Sequence, residues 1–124
     1  MSEQRFRRLF EQTPLGVALV GPDLGFQTVN PALCRMLGYT EEELIGRPFS
    51  SVTDPADVPL SLAETGRVLT GETPVARFKK RYRRKDGSLL SGRVTISPIR
   101  DEHGVVIHLL PVIEEISDDT SPAA

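Results

Sequence analysis

Residues 30–46, NPALCRMLGYTEEELIG, hold two helix starts and two helix stops in one short stretch. Asn30 can accept hydrogen bonds from the free amides of a first turn, and Pro31 brings the preset φ and missing donor that suit the first helical position. The helix that follows carries Leu33, Met36 and Leu37 on one side and stops at Gly38, a residue suited to the left-handed conformation past a helix end. Thr40 and Glu43 then have the spacing of a capping box, with Leu44 and Ile45 as apolar payload and Gly46 as the second stop. Helices of about two turns do not hold together alone in water. Both must therefore lie on something else, and that surface decides the fold.

On the N-terminal side, Phe6, Leu9 and Phe10 stand at i, i+3 and i+4, which predicts a short helix with one apolar stripe, ended by Pro14. GVALVG (16–21) and GFQTVN (25–30) read as two strands joined by the turn Gly21-Pro22-Asp23. The first is nearly all apolar, as for a strand covered on both faces. On the C-terminal side, residues 47–59 are rich in Pro, Ser and Asp and read as irregular, with one turn of helix after Asp54-Pro55. Asp57 is then expected to cap a longer helix over 58–69 whose inner side carries Val58, Leu62, Ala63 and Leu69. Gly66 weakens its centre.

The rest of the chain is of another kind. Residues 74–84, 89–98 and 105–116 are strand candidates separated by the turn sequences Lys85-Asp86-Gly87-Ser88 and Asp101-Glu102-His103-Gly104. Leu90, Val94 and Ile96 alternate with Ser91, Arg93 and Thr95, so one face of the middle strand is buried. The expected architecture is α+β: a five-stranded antiparallel sheet with short helices on one face and an N-terminal helix. Its divisions are 1–14 for that helix, 15–117 for the domain and 118–124 for a tail or linker to an effector domain.

Composition sets the limits on function. The chain has 124 residues, 39% hydrophobic and 26% charged, with a formal net charge of -2 that attracts neither nucleic acid nor membrane by itself. A single cysteine, Cys34, excludes an intrachain disulfide and a cysteine-built metal cluster, and a reducing, cytoplasmic setting fits best. The opening MSEQRFRRLFEQ lacks the apolar core of a signal peptide, and no apolar run is long enough to span a bilayer. Membrane contact by this domain is not expected, although a parent protein could be anchored elsewhere.

Four segments in this order and spacing resemble PAS domains, the sensory and interaction modules of signalling proteins: FEQTPLGVALVG, FQTVNPALCRMLGYTEEELIGRPF, DPADVP and RYRRKDGSLLSGRVTISPIRDEHGVV. The likeness runs from about Arg5 to Ser117, with Glu115 and Ser117 departing from the family's Asp-Ile-Thr ending. It implies that the short helices form a movable cover over the sheet with a cavity between. The resemblance also sets out which ligands to look for. Flavin-linking members carry a reactive Cys after Gly-Arg-Asn, where this chain has Phe49, so a covalent flavin is not expected. Haem-binding members supply a His from the helix before the last three strands, and 58–69 contains none. His103 and His108 read as turn or surface residues.

The lining expected for such a cavity is Ala18, Val20, Leu33, Leu37, Ile45, Phe49, Leu62, Phe78, Lys80, Tyr82, Val94, Ile96, Leu109 and Ile113, each of which also serves as plain core. Lys80 shares a strand face with Phe78 and Tyr82. Members that bind citrate-like acids make it a candidate carboxylate partner. The plainer expectation is that its end snorkels to the rim. Cys34 reads as a small buried hydrophobe, with redox sensing as the alternative.

No Gly-rich phosphate loop, HExxH pair or activated nucleophile is present, so no catalytic residue is expected and any enzyme activity would belong to another domain. Seven of the nine residues 77–85 are basic, which suggests a nucleic-acid module as the alternative function. Alternation along a strand nevertheless denies any one face all seven. The reading is a regulatory module that senses a small ligand or dimerises through Phe6, Leu9 and Phe10. It would control a linked histidine kinase, diguanylate cyclase or transcription regulator. The identity of any cofactor stays open.

Overall fold

A computed structural model describes residues 3–117. Helix α1 (Glu3–Gln12) leads into β1 (Gly16–Val20) and β2 (Phe26–Val29), followed by α2 (Pro31–Leu37) and α3 (Glu41–Leu44). Two 3-10 turns, Phe49–Val52 and Pro55–Asp57, precede α4 (Val58–Leu69), and β3 (Ala76–Arg83), β4 (Leu89–Arg100) and β5 (Val106–Glu115) close the chain. All strand pairs are antiparallel, in the order β2-β1-β5-β4-β3. The last strand thus lies in the middle, pairing with β1 on one side and β4 on the other, and joins both halves of the chain into one sheet.

The short helices are fixed as their residues dictate. Asn30 Oδ1 accepts from the Leu33 amide at 3.0 Å, and Gly38 ends α2 at φ 78° with its N–H donating to the Cys34 carbonyl. Thr40 and Glu43 form both halves of the capping box around α3. Leu33, Leu37 and Leu44 are almost wholly enclosed against the sheet residues Ala18, Val20, Leu109 and Ile113. Burying each such leucine contributes about 1.5–3 kcal/mol, which offsets the unfavourable nucleation of helices this short.

Several expectations are corrected. Ile45 is 42% exposed because it is the C-cap of α3, where ψ of 129° carries the chain out of the helix and away from the core. Leu62 is also 42% exposed, and Ala63 faces solvent, because α4 buries Ser61, Thr65 and Val68 instead. A shift of one position turns a helix by about 100°, enough to replace an apolar inner face by a polar one. Asp57 precedes α4 but its side chain makes no capping bond; it accepts from the Arg81 amide and guanidinium. Strand β1 is buried only on alternate residues, with Val17 and Leu19 half-exposed on the far face of the sheet. Residues 118–124, expected as the tail, lie outside the described residues.

Candidate functional site

Strand alternation sends Ala76, Phe78, Lys80 and Tyr82 to the helix-covered face and Arg77, Lys79, Arg81 and Arg83 to solvent. Lys80 is therefore carried into the core, where it is only 6% exposed. Its ammonium does not snorkel out, contrary to the plainer expectation. The reason is that acceptors meet it inside: Nζ donates to Thr53 Oγ1 at 3.1 Å and to Ser61 Oγ at 2.9 Å. It also sits 4.8 Å from the ring centres of both Phe49 and Tyr82, whose π faces attract a cation.

Each partner is held by its own element. The Thr53 hydroxyl donates to the Phe49 carbonyl at 3.0 Å, which locks it to the first 3-10 turn. The Thr65 hydroxyl donates to the Ser61 carbonyl at 2.7 Å, one turn back along α4. An isolated bridge between Thr53 and Tyr82, and a bond from the Asp54 amide to the Arg81 carbonyl, fasten this turn to the edge of β3. The Lys80 ammonium is thus the buried point at which the sheet, the 3-10 turn and α4 meet. No carboxylate lies within ion-pair distance of it among the described residues. Burial pulls its pKa down to about 8, with the charge of Asp57 acting the other way. Burial likewise pushes the Tyr82 phenol far above its usual range.

Of the cavity lining expected, Ala18, Val20, Leu33, Leu37, Phe49, Lys80, Tyr82, Val94, Ile96, Leu109 and Ile113 are all buried together, and Phe78 packs partly buried against them. Ile45 and Leu62 are not among them. Thr53, Ser61 and Thr65 were not anticipated. The available signal was a pair of hydroxyl residues at i and i+4 in a helix whose other faces are largely apolar.

A concavity lies elsewhere. Between α1 and the β1–β2 edge is a groove of about 510 Å³ whose walls include Phe6, Phe10, Leu19, Val29, Pro31 and Cys34. Phe6 and Leu9 are more than half exposed, and the Phe6 and Phe10 rings stack with centres 5.8 Å apart. Cys34 is half-buried there, its thiol pKa raised first by burial and then by the charge of Glu41. Such a thiol is a weak nucleophile. Position 49, meanwhile, holds a buried phenylalanine, so the residues present do not fit a covalent flavin adduct. His103 lies in the exposed β4–β5 turn and His108 on the outer face of β5. Neither reaches the core, and no cluster of three metal-ligating side chains occurs among the described residues.

The basic run splits as alternation requires. Four of its members share the exposed face of β3, where Arg81 pairs with Asp54 and Asp57 and Arg83 with Asp54. Lys85 pairs with Glu43, and Arg84 donates to the Met36 carbonyl at 3.1 Å.

Known proteins resemble this chain in sequence or in fold. The probable diguanylate cyclase DgcE of Escherichia coli is 32% identical over 117 residues, which is 94% of this chain and 11% of that protein. A blue-light-activated histidine kinase of Rhizobium johnstonii is 28% identical over 102 residues, covering 80% of this chain and 29% of that protein. The chain thus spans less than a third of the length of these relatives. A crystal structure of a PAS domain from Colwellia psychrerythraea superposes with a TM-score of 0.85 at 18% identity, covering 91% of this chain and 95% of that one. The family model described as PAS domain matches residues 14–118, and with that match over the same sheet and helical cover the chain belongs to the PAS domain family.

Proposed function

We propose that this chain is a sensory input module that regulates a linked effector, such as a histidine kinase, a diguanylate cyclase or a transcription regulator. A small ligand enters between the helical cover and the sheet and alters the contacts that hold the two together. The single observation that carries this reading is the buried Lys80 junction. It ties the first 3-10 turn and α4 to β3 through three polar groups where apolar packing would be more stable. Retaining such a group in a core is the mark of a functional requirement.

The route to the effector is β5. It contributes Leu109 and Ile113 to the core and sits at the centre of the sheet, so a change in the cover reaches its end at Glu115 and the residues beyond. Relatives named as a cyclase and a kinase support an effector of this kind. The module pairs with a second copy through Phe6, Leu9 and Phe10, since an exposed stripe of that type on α1 is otherwise unfavourable. A cytoplasmic setting fits the lone free thiol; no described helix is long and apolar enough to cross a membrane. The nucleic-acid reading has less support, because Asp54 and Asp57 already face the arginines of the basic strand.

A thermal-shift screen of the chain against a small-molecule library, with hydrogen exchange on each compound that shifts the melting point, tests the proposal. Bound compound should change amide protection in α4 and in β5. A compound that binds without altering β5 would remove the transmission route, and the absence of any binder together with an unliganded native mass would remove the sensory role.

A further inference from the structure

Helix α1 buries none of its residues, yet its stacked Phe6 and Phe10 rings line the groove of about 510 Å³ that faces the β1–β2 edge. A groove of that size suits a small organic molecule. It is too small for a helix, since ten residues at 1.5 Å rise and a diameter of 10 Å fill roughly 1,200 Å³. Leu19, Val29, Pro31 and Cys34 supply the rest of the apolar surface, whereas the charged groups of the lining are three carboxylates, Glu3, Glu11 and Glu41, and one guanidinium, Arg7. Arg7 is taken by Glu3 at 3.5 Å. Glu11 and Glu41 have no cationic partner among the described residues.

The placement of these two carboxylates fixes the sign of the occupant. Glu11 stands in the last turn of α1, which contains no basic residue, and the carbonyl end of a helix is already negative, so a carboxylate there is unfavourable until a cation joins it. The charge of Glu41 is felt at the Cys34 thiol, on the groove wall. The faces of the two phenylalanine rings attract a cation as well. A bare metal ion does not fit, because no cluster of three metal-ligating side chains occurs among the described residues and most of the wall is hydrocarbon. We propose that this groove binds an organic ammonium ion, its charge met by Glu11 and Glu41 and its apolar body laid against Phe6 and Phe10. The site lies outside the helical cover and goes beyond the sensory reading without depending on it. Glu11 belongs to α1 and Glu41 to α3, so an occupant that meets both ties α1 to the domain.

The test is calorimetric titration of the full chain at pH 7 with 2-naphthylmethylamine, its neutral analogue 2-naphthylmethanol and the anion 2-naphthoate. The amine should bind about tenfold more tightly than the alcohol, and the naphthoate more weakly than either. Glu11→Gln and Glu41→Gln, both at exposed positions, should each weaken the amine about twofold to fivefold and leave the alcohol unchanged. Cys34 reports the place: saturating amine should slow its modification by methyl methanethiosulfonate at least several-fold, and amide exchange in α1 should fall. Equal binding of amine and alcohol, an amine affinity untouched by both Gln variants, or undiminished modification of Cys34 would each overturn the proposal. Failure of the amine to bind, with a lower sedimenting mass in Glu11→Gln than in the parent, would assign the groove to a second copy of the chain instead.

Discussion

The side-chain amide of Asn30 donates to the Phe10 carbonyl at 3.0 Å, so the residue that caps α2 also holds the end of α1. The same Nδ2 donates to the Leu15 carbonyl, while Oδ1 accepts from the Val17 and Leu33 amides. Asn30 is completely enclosed, and all four of these bonds are made to backbone groups, of which the bond to the Leu33 amide is itself buried.

Asn30→Asp removes the two N–H donors and keeps the oxygen that caps α2. Its expected effect is selective: amide exchange in α1 rises sharply while α2 stays protected. Asn30→Ala removes all four bonds and should cost about 2–4 kcal/mol in urea denaturation. Equal protection of α1 in the Asp variant and the parent would show that α1 is held by its stacked phenylalanines alone.

Lys80 makes stability depend on pH in an unusual direction. Its folded pKa of about 8 lies below its ordinary 10.5, so between these values the unfolded chain holds the proton and the folded chain does not. Stability should therefore rise with pH across that window, by at most about 3 kcal/mol, and be level below it. Lys80→Met should abolish the rise and match or exceed the parent in stability at pH 7. Melting curves of both proteins from pH 7 to 10.5 provide the measurement.

Asp57 behaves in the opposite sense. Its carboxyl is held below the usual range, first by hydrogen bonding from the Arg81 side chain, and it also accepts from the Arg81 amide at 2.8 Å. Its contribution is present above the ordinary carboxylate range and fades as pH falls through its lowered value. Asp57→Asn should cost about 1 kcal/mol at pH 7 and nothing further in acid, because a backbone donor at the edge of β3 loses its charged acceptor. The more exposed Arg93–Glu114 pair is a control: Glu114→Gln should leave the melting temperature nearly unchanged.

Gly92 pairs with Lys80 across β3 and β4, and the Tyr82 ring lies diagonally against it. A Cβ there would lie 2.9 Å from Tyr82 Cε1 and 3.1 Å from Ile113 Cγ2. Gly92→Ala should cost about 1–3 kcal/mol by overpacking. It should also displace the Tyr82 ring from the ammonium, which near-ultraviolet circular dichroism would register as a changed tyrosine signal.

The α1 stripe is tested by mass. Sedimentation of Phe6→Glu, Phe10→Glu should show a lighter species than the parent chain, and an identical mass would remove the pairing proposed for α1.

Local chemistry alone determined much of this protein. Pro31 with Asn30, Gly38, and Thr40 with Glu43 locate α2 and α3 almost to the residue, because caps act over one helical turn and need no distant partner. Strand alternation likewise sends Phe78, Lys80 and Tyr82 to one face. What lay beyond reach was every choice that depends on who is opposite. Helix α4 turns Ser61 and Thr65 inward and leaves Leu62 in water, because Lys80 arrives from another element and requires hydroxyls more than the core requires one leucine. Asp57 abandons its cap for Arg81, twenty-four positions away in sequence. Sequence set the elements and their ends, since those interactions are local; only tertiary packing decided which face of α4 is buried and where the ammonium of Lys80 lies, since those depend on contacts across the fold.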